Sequence, residues 1–208
     1  ISLGLVGSEM CIRDSNEANE RCRNAVADQV KALEMFCSKR LSVLAGPAGT
    51  GKTTVVKAFL KLPQIKAEGT LLLAPTGKAR VRLGNMSADI QALTIAQFLT
   101  RQGFFDWDTM TPCVPEDAEK RKYCGAKNVI IDECSMLTCK DFYVLMKALD
   151  LKNINRIILI GDPFQLPPIG PGRPFADLFN YLKDNKDEYL RSAITCLLYT
   201  SPSPRDRG

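Results

Sequence analysis

The stretch GPAGTGKTT at 46–54 constrains what this chain can fold into more than any other part of it. Gly46, Gly51, Lys52 and Thr53 fit the pattern G-x-x-x-x-G-K-[ST], directly after the apolar run LSVLA (41–45) and before a helical pattern over 52–61. A strand that turns through glycines into a helix leaves backbone N–H groups free to close around phosphate oxygens, and the helix N-terminus adds partial positive charge. On this reading Gly46, Pro47, Ala48, Gly49, Thr50, Gly51, Lys52, Thr53 and Thr54 form a phosphate cradle. Lys52 reaches the β and γ phosphates as a catalytic cation, and the Thr53 hydroxyl ligates magnesium. The expected ligand is a nucleoside triphosphate, taken as ATP with Mg2+.

Three further apolar runs, TLLLAP (70–75), NVIIDE (128–133) and RIILI (156–160), are too short for helices and too continuously apolar for half-exposed strands. They read as strands buried on both faces of a sheet. Helical patterns over 77–84, 94–101 and 139–149 separate them, and an amphipathic helix over 18–38 precedes the first strand. The alternation predicts an α/β fold with a mostly parallel β-sheet and helices on both faces, and with the phosphate loop it reads as a P-loop NTPase. Residues 102–127 break the pattern and read as an insertion with its own job or as a disordered loop.

The run VIIDE ends in two adjacent carboxylates that point different ways, so they can divide two roles. Asp132, at the end of a strand neighbouring the phosphate loop, is the candidate to hold the nucleotide's magnesium. Glu133 is the candidate to orient or deprotonate the attacking water. An Asp-Glu pair is common at solvated strand ends; here it follows four apolar residues in a chain that already carries a phosphate loop.

The two ends are not independent of each other. Translating Cys196–Asp206 back into DNA and reading the opposite strand in another frame yields codons for Leu5–Asp14. That DNA resembles a transposase-type sequencing adapter, so 1–15 and 196–208 are set aside as adapter-derived and 16–195 is read as one domain. These ends hold three basic residues (Arg13, Arg205, Arg207) and three acidic ones (Glu9, Asp14, Asp206), so the net charge of +5 is unaffected. A mild basic excess is compatible with nucleic acid without requiring it. No apolar run reaches the ~18 residues of a membrane helix, which points away from a membrane partner. Without histidine or C-x-x-C spacing, the cysteines read as reduced thiols of a cytoplasmic protein; a Cys113/Cys124 link is the alternative.

LLLAPTGKAR (71–80), LTIAQFL (93–99), IIDECSML (130–137) and GDPFQLPPIGPG (161–172), in this order, resemble the first motor domain of superfamily 1B DNA helicases of the RecD/TraA-like branch. The resemblance spans about 25–180 and implies that the P-loop NTPase is RecA-like, with 16–195 as one RecA-like ATPase domain. It implies that Gln29 reads adenine, an amide being able both to donate and to accept; otherwise Gln29 is a surface helix residue. It places Pro75, Thr76, Lys78 and Thr94 against single-stranded DNA, where hydroxyls and a cation suit sugar-phosphate contact, although Lys78 and Arg80 also fit a solvated helix face. It makes Gln165 a catalytic sensor at the γ-phosphate or the attacking water, stiffened by the prolines after it. Two departures are Ala96, where the family commonly has histidine, and Cys134, where it has alanine or isoleucine. Phe104, Phe105 and Trp107 form a cluster that stacks on bases or separates strands in the resemblance, or that makes a satellite core.

The function implied is the N-terminal motor domain of an ATP-dependent 5′-to-3′ DNA helicase. Its partners are single-stranded DNA, or a duplex with a single-stranded tail, and a second RecA-like domain of the same parent chain. Arginines from that second domain would neutralise the transition state, so the domain alone is expected to hydrolyse ATP slowly or not at all. A P-loop switch or loader, an RNA helicase domain and a non-enzymatic binding module are the alternatives.

Overall fold

A computed structural model describes residues 16–86 and 89–197, with side chains from residue 23 onward. The order along the chain is α1 (Asn16–Ser38), β1 (Leu41–Ala45), α2 (Lys52–Lys61), α3 (Pro63–Glu68), β2 (Thr70–Ala74), α4 (Gly77–Gly84), β3 (Ala92–Thr94) and α5 (Ile95–Gln102). A hairpin of β4 (Phe105–Asp106) and β5 (Thr111–Pro112) follows, then β6 (Asn128–Ile131), α6 (Cys139–Ala148), β7 (Arg156–Gly161), α7 (Pro174–Lys183), α8 (Glu188–Arg191) and β8 (Ile194–Cys196). Six strands form one sheet in the order β3-β2-β6-β7-β1-β8, and every pairing in it is parallel. All six C-terminal ends therefore share one edge, and the segments leaving β1, β2, β3, β6 and β7 emerge side by side.

Alternation along the strands divides the core in two. Val43, Leu71, Leu73, Val129, Ile131 and Leu159 face α5, α6 and α7, packing on Phe98, Leu145 and Phe175. Leu44, Leu72, Ile130, Ile158 and Ile160 face α1, α2 and α4, packing on Phe36, Phe59 and Leu83. Each such side chain, withdrawn from water, contributes about 1.5–3 kcal/mol before chain entropy is counted. Continuous apolar runs thus become strands because both faces are covered, as the sequence implies.

The pattern over 94–101 is a helix from Ile95, but the residues before it form the short strand β3, and Thr94 closes a capping box with Gln97. Three apolar or half-polar residues carry too little pattern to announce an edge strand. Within 102–127 the chain is ordered: Asp106 accepts from the backbone N–H groups of Asp108 and Thr109 and from the Thr109 hydroxyl, closing the hairpin turn. The aromatic cluster expected there is split. Phe104 is fully buried in the core, whereas Phe105 and Trp107 meet edge-to-face at 5.3 Å with Trp107 64% exposed. Cys113 and Cys124 are free thiols.

Of the adapter-assigned ends, 1–15 and 198–208 lie outside the described residues. Cys196 completes β8 beside β1, and the Leu197 N–H donates to Ala45 O at 2.8 Å. Among the described residues, no helix is long and apolar enough to cross a membrane.

Candidate nucleotide site and its neighbours

The loop from β1 to α2 turns on glycine. Gly51 precedes the helix with φ +88, a left-handed conformation that a side chain strains, and a Cβ there would lie 2.3 Å from Gln29 Nε2. Gln29, on α1, is thereby brought against the loop. Gly46 N donates to Gly161 O at 3.2 Å, joining the start of the loop to the end of β7. Thr50 is buried and its hydroxyl donates to Pro47 O at 2.9 Å, bracing the turn from inside, while Pro47, Ala48 and Gly49 stay exposed. Lys52 folds over the loop, with Nζ donating to Gly46 O at 2.5 Å and Pro47 O at 2.8 Å. These carbonyls hold the ammonium over the loop. Burial lowers the Lys52 pKa, and the nearby Glu133, Asp132 and Asp162 carboxylates only partly offset it. Thr53 is half-buried and Thr54 exposed in the first turn of α2.

Asp132 follows β6 with its side chain only 6% exposed. Its Oδ1 accepts from the Glu133 N–H at 2.9 Å, and its Oδ2 accepts from Arg82 Nη2 at 2.9 Å. Glu133 has φ 54 and ψ 38, a rare backbone conformation outside glycine, and its Oε1 accepts from the same Arg82 nitrogen at 2.6 Å. Burial alone would lower the Arg82 pKa; hydrogen bonds to Glu133 and Asp132 outweigh it and raise it. Cys134 is buried and its thiol donates to Ile131 O at 3.1 Å, a small side chain filling core space. Ser135 Oγ then reaches Gln165 Oε1, on the loop after β7, at 3.3 Å. Gln165 is exposed, and its N–H donates to Asp162 O at 3.2 Å.

Lys52, Asp132, Glu133 and Gln165 therefore leave the adjacent strand ends of β1, β6 and β7. Two residues that the spacing did not single out join them. Arg82 lay hidden because it sits fifty positions before Asp132 and reads as part of a solvated helix face. Asp162 was visible only as half of a Gly-Asp turn, yet it is buried and its charge acts on Lys52.

The residues expected at nucleic acid flank this group on β2 and β3. Thr76 N-caps α4, accepting from Ala79 N at 3.2 Å, and Thr94 N-caps α5, accepting from Gln97 N at 3.1 Å. Both hydroxyls thus hold helix starts and keep their own proton to donate. Pro75 is half-buried, Lys78 exposed on the first turn of α4, and Ala96 exposed on the first turn of α5.

A family model described as AAA domain matches residues 24–188. The chain belongs to this AAA domain family. Among curated proteins, the AAA domain is similar to the ATP-dependent RecD2 DNA helicase of Deinococcus radiodurans, 34% identical over 153 residues, covering 73% of this chain and 19% of that protein. It is also similar to DNA helicase B of Mus musculus, 28% identical over 195 residues, covering 76% of this chain and 18% of that protein. The AAA domain thus spans less than a fifth of either relative. Among solved structures, Pif1 of a Bacteroides species in complex with ADP-AlF4 shares the fold, with a TM-score of 0.51, 19% identity, and coverage of 82% of this chain and 41% of that one. These matches bear out the resemblance to a superfamily 1B helicase motor domain and the RecA-like fold.

Proposed function

We propose that this AAA domain is the nucleotide-binding motor domain of a 5′-to-3′ DNA helicase, binding Mg-ATP in the 46–54 loop and single-stranded DNA across the ends of β2 and β3. One observation carries the reading: Lys52, Asp132, Glu133 and the Gln165 loop share the sheet edge with the helix starts at Thr76 and Thr94. A parallel sheet delivers both sets to one surface, so a shift at one is felt at the other. The relatives named as ATP-dependent or DNA helicases support the same assignment.

The donor set fits a magnesium nucleotide. Glycine at Gly51, where a Cβ would collide with Gln29, suits a loop whose backbone faces phosphate, and a buried carboxylate at Asp132 suits an oxygen-seeking divalent ion. Among the described residues, no three His, Cys, Asp or Glu side chains gather into a cage that would hold a metal without a nucleotide. Thr53 and Asp132 would hold Mg2+, which would neutralise charge developing on the phosphates. Lys52, released from the Gly46 and Pro47 carbonyls, supplies the mobile cation. Glu133 accepts the proton of the attacking water, and Gln165 orients that water or the phosphate. Gln29 faces the loop from α1 and selects the base. The cycle is completed by a second RecA-like domain contributing arginines.

The test uses ATP binding and fluorescence anisotropy of a single-stranded oligonucleotide on the AAA domain, with turnover measured in the longer parent. Lys52→Ala should abolish ATP binding, and Glu133→Gln should bind ATP but not hydrolyse it. Oligonucleotide affinity should fall steeply with salt. A salt-insensitive or undetectable oligonucleotide affinity would point to a switch or loader. Fast, DNA-stimulated turnover by the AAA domain alone would remove the need for a second domain.

A further inference from the structure

Arg82 bridges the two halves of this surface. It lies in the last turn of α4, the helix that Thr76 caps and whose first turn carries Lys78, and its guanidinium ends on both carboxylates after β6. A single nitrogen, Nη2, donates to Asp132 Oδ2 at 2.9 Å and to Glu133 Oε1 at 2.6 Å. With Oδ1 taken by the Glu133 N–H, both Asp132 oxygens are engaged. The side chain of Arg82 is 51% exposed, so it can leave without opening the core.

We infer that Arg82 is a positioning residue that occupies the metal carboxylates as an internal cation and competes with the divalent ion for Asp132. The inference rests on the reading of Asp132 as the magnesium carboxylate. Arginine suits the task because it stays charged at every working pH and one of its nitrogens can donate to two carboxylates at once. Two like charges on Asp132 and Glu133 repel when bare, and one guanidinium relieves that repulsion. A metal entering at Asp132 takes over the neutralisation and frees the guanidinium. Because the arginine rides on α4, the position of that helix sets how strongly it competes, and α4 begins at the Thr76 end proposed for DNA.

Binding of Mn2+ by the AAA domain in the presence of ADP, read from the free Mn2+ signal in electron paramagnetic resonance, tests this without any turnover. Arg82→Gln should tighten Mn2+ binding about three- to tenfold, the scale expected for removing a half-exposed ion pair. Arg82→Lys, which keeps the charge, should stay near the wild type. Asp132→Asn should weaken binding. If Asp132→Asn weakens Mn2+ binding while Arg82→Gln leaves it unchanged or weakens it, Arg82 is no competitor and the inference is overturned with the metal site intact. If Asp132→Asn has no effect, the metal assignment itself fails and the inference falls with it. Arg82→Met carries the same expectation should the glutamine variant not fold.

Discussion

Ser135 Oγ donates to Gln165 Oε1 across 3.3 Å, tying the turn after Glu133 to the loop after β7. The bond is long for a hydroxyl donor, and Gln165 is otherwise exposed, so it acts as a weak latch. Ser135→Ala and Gln165→Ala should each change unfolding free energy by no more than about 1 kcal/mol in urea titrations. Function should respond more strongly. In a chain that carries the proposed second domain, Gln165→Ala should leave ATP affinity nearly untouched and lower DNA-stimulated turnover by about tenfold or more, as removal of a positioned transition-state contact does. Equal losses in binding and turnover would make Gln165 a binding residue.

Gly51 and Gln29 form a second pair whose disruption is predictable. Gly51→Ala places a side chain at φ +88 and drives its Cβ toward Gln29 Nε2. The amide can swing aside, but the backbone strain remains, at about 1–2 kcal/mol. A lowered urea midpoint should therefore accompany loss of ATP binding. Gln29→Ala, by contrast, should leave stability unchanged and narrow the preference for ATP over GTP in competition titrations.

Phe104 and Trp107 are three residues apart and should behave as opposites. Phe104 lies in the core under α5 and α6, and truncation to alanine should cost about 3–5 kcal/mol. Trp107, on the exposed hairpin turn, should tolerate Trp107→Ala with little change in thermal midpoint. If the turn meets nucleic acid, the same variant loses oligonucleotide affinity by the ~1–3 kcal/mol of one stacked base. Unchanged affinity would reduce the hairpin to a structural turn.

These contrasts show where the sequence was informative. The central strands were legible because burial on both faces demands uninterrupted apolar runs, and α2 because a phosphate loop must open a helix. The C-terminal segment was not: α7 buries Phe175, Phe179 and Leu182 behind a Pro-rich stretch whose composition reads as loop. The carboxylate pair was legible through its place after an apolar strand. Its partner was not, because Arg82 reaches Asp132 through the adjacency of β2 and β6, and that adjacency is created only when the sheet forms. Spacing along a chain reports contacts within one turn or motif; it is silent on side chains brought together by strand order.

The opposite edge of the sheet supplies a pH dependence independent of the nucleotide. Glu68 stands before β2, with its Oε2 accepting from Arg156 Nη1 at 2.6 Å and Asn128 Nδ2 at 3.2 Å, and its Oε1 from Gln64 Nε2 at 2.9 Å. Burial would raise its pKa, but the hydrogen bonds from Gln64 and Asn128 and the charge of Arg156 prevail and lower it from the ordinary 4.5. A carboxyl whose pKa is lower in the folded than in the unfolded chain stabilises the fold above the ordinary value, and that stability is lost as pH falls through the folded value. Glu68→Gln should therefore cost up to about 1 kcal/mol at neutral pH, the scale of charged hydrogen bonds at a half-buried, partly screened site. Urea denaturation repeated at decreasing pH should show the two proteins converging as the wild-type carboxyl takes up its proton. A gap that stayed constant into strong acid would mean that Glu68 acts through packing, with its charge contributing nothing.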